Sequence, residues 1–352
     1  MIDEILLVES IPIVLLLLFA FFAWNKRQLV SVPFALCLMI GALEIVAIVS
    51  LPDDVSIDKP RYVALFYERY LWGFLEGYKD PGWMYYVTLC TKIFKKNVTL
   101  FFLLTASVYV FAYLKMAKRF FEDKAFYFFL MAMGCMGFFS YATNTIRPGF
   151  AIAFLLLGIS SKKRIWTIIL MICSILFHRS MSIPVAAYFI TGLFDKRQAY
   201  YIIWLACLLM AVANVDMGPL FETFGILDNR VEVYSQSIGK SFTGYKQGFR
   251  WDFLLYSILP LTISLFLERK FKIEDELFSK MINMYLLTNA VWLLAIRVTY
   301  SDRLAYLSWF MIPFIMLYPI IKYADKYKNP NWLSVGSMFL FMGINFVLII
   351  MK

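Results

Sequence analysis

The chain has 352 residues, of which 62% are hydrophobic, 19% aromatic and only 16% charged, a balance that no water-soluble core of this length requires. The formal charge of +10 comes from Lys and Arg set in short clusters between apolar blocks, a pattern that orients a membrane protein and argues against nucleic acid as a partner. Five cysteines, Cys37, Cys90, Cys135, Cys173 and Cys207, lie in apolar stretches without paired spacing, which argues against a disulfide framework or a thiolate metal site.

The apolar blocks recur at roughly the 20-residue length that crosses a ~30 Å hydrocarbon layer. Only helices satisfy their backbone groups segment by segment there. The expected fold is therefore all-α: a single transmembrane domain over residues 1–352, a polytopic helical bundle of about twelve spanning or half-spanning helices, with two long external loops. No internal repeat subdivides it.

The amino-terminal stretch MIDEILLVES is acidic and has no small-residue cleavage site, against a removable signal peptide. The first two helices are expected at 5–24 and 29–51 and carry Glu9 and Glu44, which read either as cross-helix hydrogen-bonding groups or as functional acids. Residues 52–97 form the first external loop. Within it, 61–76 holds Arg61, Glu68, Arg69 and Glu76 among aromatics, and 83–94 sets Thr88 and Lys92, with Lys95 beyond, on one face. Both read as interfacial helices. Helices follow at 98–114, 125–143, 147–160, 165–177, 180–192 and 199–216. The second external loop, 217–250, mixes glycines with Phe224, Tyr234, Phe242, Tyr245 and Phe249. The last helices are expected at 251–268, 281–297, 303–321 and 332–351.

With the amino terminus outside, the basic clusters at Lys26/Arg27, Lys115 to Lys124, 161–164, 195–197, Arg269 to Lys280 and Lys322 to Lys328 all fall on the cytoplasmic side. This requires 165–192 to be two short helices turning at His178. The cytoplasmic loops are then too short for a nucleotide-binding domain, and the long loops place the function outside.

Isolated basic residues gather at the outer helix ends: Arg147, His178, Arg179, Arg250, Arg297 and Arg303, with Asp302 beside the last. An arginine deep in a helix costs about 2.5–3.5 kcal/mol on insertion scales, so a recessed one implies a partner or a water-filled cavity. In NTIRPGF, residues 144–150, Asn144 or Thr145 can cap a helix with Pro148 in its first turn. A helix from 147 to 160 is only about 21 Å long, so its amino end lies below the outer surface. Free N–H groups, the helix dipole and Arg147 would form an anion site there. His178 is the single histidine of the chain and sits at the end of a similarly short helix. Taken singly, a lone histidine at a helix break is commonly a satisfied donor, and Arg250, Arg297 and Arg303 read as snorkelling or as pairing with Asp252 and Asp302. Their joint placement facing the long loops points to a shared pocket. One histidine and scattered cysteines cannot supply a zinc site, and without Gly-x-Ser-x-Gly a serine nucleophile is a weak reading. No metal and no cofactor are expected.

NTIRPGFAIAFLLLGISSKKR, ILFHRSMSIPVAAYFI and SDRLAYLSWFMIPFI, in that order, resemble the EpsG-like branch of the Wzy class of bacterial polysaccharide polymerases. IDKPRYVALFYERY followed by EGYKDPGWMYYVTLCTKIFKKN is similar to that family's first external region. The family usually has glutamine after the arginine matched by Arg147, where Pro148 stands here, and places its tyrosine sooner after the acid matched by Asp58 than Tyr62 stands here. The resemblance implies an enzyme, a metal-independent glycosyltransferase of O-antigen, capsule or exopolysaccharide synthesis. It would sit as a multi-pass protein in the bacterial inner membrane with its active site facing the periplasm or exterior. Its substrates would be donor and acceptor glycans linked to undecaprenyl pyrophosphate, with membrane lipids around it and a chain-length regulator among the partners allowed. Arg147 would bind the donor pyrophosphate and stabilise the leaving charge. Arg297 and Arg303 would serve the acceptor pyrophosphate or a second clamp, Arg250 and Arg179 would be further contacts, and Asp58 and Tyr62 would contribute from the outer loop. His178, with a reference pKa of about 6.5, would accept the proton of the attacking hydroxyl or orient it, with Asp302 and Asp58 as rival bases. A lipid-linked oligosaccharide flippase and a multi-pass glycan acyltransferase are the competing readings.

Overall fold

The computed structural model describes residues 2–53, 56, 58–73, 80–215, 248–298 and 301–350. Among these no strand occurs, and the described elements are α1 (Ile2–Ala23), α2 (Phe34–Ser50), α3 (Lys59–Trp72), α4 (Pro81–Phe94), α5 (Val98–Phe121), α6 (Ala125–Met133), α7 (Met136–Thr143), α8 (Ile146–Ile159), α9 (Arg164–Phe177), α10 (Ser182–Leu193), α11 (Arg197–Val212), α12 (Trp251–Phe271), α13 (Glu276–Leu294), α14 (Asp302–Trp309), α15 (Ile312–Lys322) and α16 (Pro330–Ile350). The expected external loop at 217–250 lies outside the described residues up to its last three positions, as does Glu76.

Among the described residues, five stretches are long and apolar enough to cross a membrane: Leu6–Ala23, Val98–Met133, Trp251–Phe271, Asp302–Lys322 and Pro330–Leu348. A sixth is formed if α7 and α8, bent by 119° at their junction, count as one broken span. The protein is thus an all-α polytopic membrane protein. Others of the expected segments are short apolar helices, with α2, α9 and α11 at 17, 14 and 16 residues, or about 21–26 Å at 1.5 Å per residue. The predicted helix over 125–143 is divided, since α6 ends at Gly134 and α7 restarts after Cys135.

Cα packing groups the chain into two compact units. Residues 1–181 and 320–343 form the first, and 182–319 with 344–352 the second. In the first, α5 is the central post, 24 residues long and capped by Asn97, whose side chain accepts the Leu100 N–H at 3.2 Å. Helices α2, α6 and α8 pack on it. Asn331 closes the basic end of this unit. Its carboxamide accepts from the Tyr127 hydroxyl (2.6 Å) and the Val30 N–H (3.3 Å), and it donates to the carbonyls of Lys26 (2.8 Å) and Gln28.

The segment expected as the first external loop is a folded layer, α3 beside α4. An aromatic cluster fastens it to the post: Phe66 from α3, Trp83 from α4, Phe101 and Phe102 from α5 and Phe150 from α8. Such ring pairs contribute about 0.5–1.5 kcal/mol each beyond burial. Of the face expected on α4, Lys92 and Lys95 are exposed but Thr88 is turned inward. Thr88 and Thr91 are buried, their hydroxyls donating to the carbonyls of Met84 and Thr88 at 2.8 Å, while Tyr85, Leu89 and Ile93 make an exposed apolar stripe beside Lys92. That pattern suits a helix whose outer side meets lipid.

In the second unit α10 and α11 pack on α13, and α13 on α14. Its interior carries a polar network around Asn289. The carboxamide donates to the hydroxyls of Ser257 (3.3 Å) and Ser308 (3.0 Å) and accepts from Trp204 Nε1 (2.9 Å), while Trp309 Nε1 donates to Ser257 at 2.7 Å. In lipid, where apolar burial gives little helix association, such bonds between helices supply part of the adhesion.

Candidate functional site

Three helix ends of the first unit meet at one buried carboxylate. The first is the start of α8. Asn144 and Thr145 turn the chain sharply, both N–H groups donating to the Ser140 carbonyl at 2.9 and 2.8 Å. Thr145 occupies the N-cap position, but its hydroxyl bonds back to the Ser140 carbonyl at 3.2 Å and does not cap the helix as expected. The turn is closed by contact: a Cβ on Gly149 would lie 2.2 Å from the Tyr141 carbonyl oxygen, so any larger residue separates α7 from α8. Arg147 projects from the second residue of α8. Its backbone N–H donates to the Tyr62 hydroxyl at 3.3 Å, Gly149 N–H donates to Thr145, and Pro148 has none to give. The expected cluster of free backbone donors is therefore largely committed, and the guanidinium is the principal cation of this end.

The second is the end of α9. His178 is its C-cap, extended at φ −155° and ψ 118°, with its N–H on the Ser174 carbonyl. A single 3-10 turn, Arg179–Met181, follows. The predicted turn at His178 is present. Nδ1 of His178 receives the Ser180 N–H at 3.3 Å and lies 2.6 Å from the Ser180 hydroxyl. A nitrogen that accepts an amide N–H carries a lone pair, so the proton of the neutral ring belongs to Nε2.

The third is the start of α4. A Cβ on Gly82 would lie 2.9 Å from the carbonyl carbon and oxygen of Leu176, so glycine alone lets this first turn sit against the last turn of α9. The contact delivers Asp80, the N-cap residue of α4, whose carboxylate makes no capping bond to its own helix. Instead Oδ2 takes Arg147 Nη1 at 2.9 Å, and Oδ1 takes the Arg179 backbone N–H at 3.0 Å with Arg179 Nε 4.0 Å away. Only 4% of the Asp80 side chain is exposed, against 25% for Arg147 and 37% for Arg179. The acid is sealed in while both cations remain reachable. Tyr86 of α4 pairs its hydroxyl with that of Thr105 of α5 at 2.8 Å.

The predicted site residues divide between the units. Arg147, His178, Arg179 and Tyr62 assemble as described. Asp58 belongs to the same unit but turns its carboxylate to Arg61 Nη1, 3.0 Å away, at the start of α3. In the second unit Arg250 holds Asp252 through two bonds of 2.9 and 2.6 Å and lies over the Phe253 ring. Arg297 donates to the Ala211 carbonyl at 3.2 Å, and Asp302 accepts from the Tyr306 hydroxyl at 3.2 Å with Arg303 next to it in the first turn of α14. Among the described residues no three His, Cys, Asp or Glu side chains converge.

Asp80 escaped sequence reasoning. Its signal was the Asp-Pro-Gly triplet at 80–82, a helix start with a small residue in its first turn.

The chain is similar over residues 35–352 to the model of the EpsG family. No curated protein and no solved structure matches it. Matched over most of its length and helical throughout its described residues, the chain belongs to the EpsG family and is a membrane protein of the polysaccharide-polymerase type.

Proposed function

We propose that this protein joins oligosaccharide repeat units carried on undecaprenyl pyrophosphate, at the outer face of the bacterial inner membrane. The observation that carries the reading is the arginine pair: two reachable guanidiniums from two short helices, held on one buried acid. Counting Asp80, the cluster is net positive by one charge, which suits a phosphate-bearing ligand.

In the reaction, a hydroxyl of the acceptor unit attacks the anomeric carbon of the growing chain. The new glycosidic C–O bond forms as the bond to the lipid pyrophosphate breaks, and the hydroxyl proton passes to a base. Arg147 and Arg179 bind the donor's phosphate oxygens and stabilise the charge that collects on them. His178 offers the Nε2–H as a hydrogen-bond donor to the same group, because Nδ1 is engaged by Ser180. The base is then a carboxylate, and Asp58 is the candidate within the same unit. A chain-length regulator would act from outside the chain.

The test is a gel of surface glycans from a strain lacking the gene, complemented with wild type, Arg147→Ala or His178→Ala at matched membrane levels. Single repeat units in place of a ladder identify polymerisation as the lost step. Complete loss of surface repeats on deletion would instead support lipid-linked oligosaccharide export and overturn the reading.

A further inference from the structure

An aspartate at a helix start ordinarily turns its carboxylate to the first free N–H groups of its own helix, a bond of about 1 kcal/mol. Asp80 forgoes this bond. Both oxygens accept from donors at other helix ends: one meets the Arg147 guanidinium, the other the Arg179 backbone N–H. Two adjacent oxygens that bridge a guanidinium and a backbone amide at 2.9 and 3.0 Å reproduce what two oxygens of a phosphate would do there.

We infer that Asp80 is a resident counter-anion of the site. It holds Arg147 and the His178–Ser180 turn in register while the site is empty, yields them to the ligand's phosphate oxygens, and takes them back as pyrophosphate leaves. This rests on the reading that Arg147 binds the donor pyrophosphate. Asp80 is in these terms a positioning residue, buried and never in contact with the sugar. Because ligand and carboxylate compete for the same donors, the acid weakens anion binding and speeds release. Its removal should therefore tighten binding and slow turnover together, a pairing that loss of mere structural support would not produce.

The experiment uses the full chain in lipid nanodiscs with inorganic pyrophosphate as the probe. Asp80→Asn keeps the shape and an acceptor for the Arg179 N–H but removes the charge. Its Kd for pyrophosphate should fall roughly tenfold, and in a polymerisation assay KM and kcat should fall together, with Asp80→Glu recovering part of kcat. Asp80→Ser, smaller and also neutral, should move Kd in the same direction. Unchanged or weaker pyrophosphate binding in both neutral variants would overturn the inference, as would failure of both to fold, since the carboxylate would then be structural. If wild type shows no measurable binding, a gain in Asp80→Asn supports the inference and its absence overturns it. The functional reading fails separately, if Arg147→Ala polymerises as well as wild type.

Discussion

Arg147 is the residue on which the site depends, and its chemistry distinguishes it from a bare positive charge. Its planar fork already meets Asp80 through Nη1 at 2.9 Å while the side chain stays a quarter exposed, so one guanidinium can serve the acid and a ligand at once. A lysine cannot do both, so Arg147→Lys should lower polymerisation at least about tenfold, nearly as much as Arg147→Ala; ladder length at matched expression measures it. For His178 the two roles separate by substitution. If Nε2–H donates, His178→Gln keeps a donor and retains part of the activity, whereas a base leaves Gln and Ala equally inactive. The cations of this site were legible in the sequence because a charge in an apolar run demands an explanation. Asp80 was not, since an acid in a polar external segment already has an ordinary one in capping.

At the scale of elements, two glycines set the geometry. Gly82 brings α4 against the Leu176 backbone and Gly149 brings α8 against Tyr141. In both cases the neighbour is backbone and cannot rotate away. Gly82→Ala should cost about 1–3 kcal/mol by overpacking, seen as a lower Tm, and should also slow polymerisation by moving Asp80 away from Arg179. The turn at His178 was readable from charge placement, and the helix pair α3 and α4 from the one-sided spacing of its polar residues. The break between α6 and α7 was not, because 125–143 is a continuous apolar run without proline or charge and only packing interrupts it. On α4 the lysines of the expected face are exposed while Thr88 is not, because its hydroxyl is satisfied on the Met84 carbonyl of the preceding turn and does not require water.

For the whole molecule, composition gave the class and charge clustering gave a topology, while the two compact units left no mark on so uniform a composition. Reporter fusions at residue 120 and residue 235 should read cytoplasmic and external respectively; an internal 235 would reverse the side assigned to the second long loop. Each unit is pinned by a buried carboxamide with several bonds. Asn331→Leu removes the acceptor of the buried Tyr127 hydroxyl, which keeps only the Val30 N–H, and the donor to the Lys26 and Gln28 carbonyls, at about 1–3 kcal/mol in all. It should lower Tm markedly while the folded fraction keeps its activity. The apolar stripe of α4, finally, bears on how the protein is handled in vitro. Tyr85, Leu89 and Ile93 are exposed on the very helix whose N-cap residue, Asp80, meets Arg147 and Arg179, so anything that disturbs the lipid against this stripe is expected to reach the candidate site. Delipidating detergents should therefore abolish catalysis before circular dichroism registers any loss of helix, and reconstitution into bilayers should recover it.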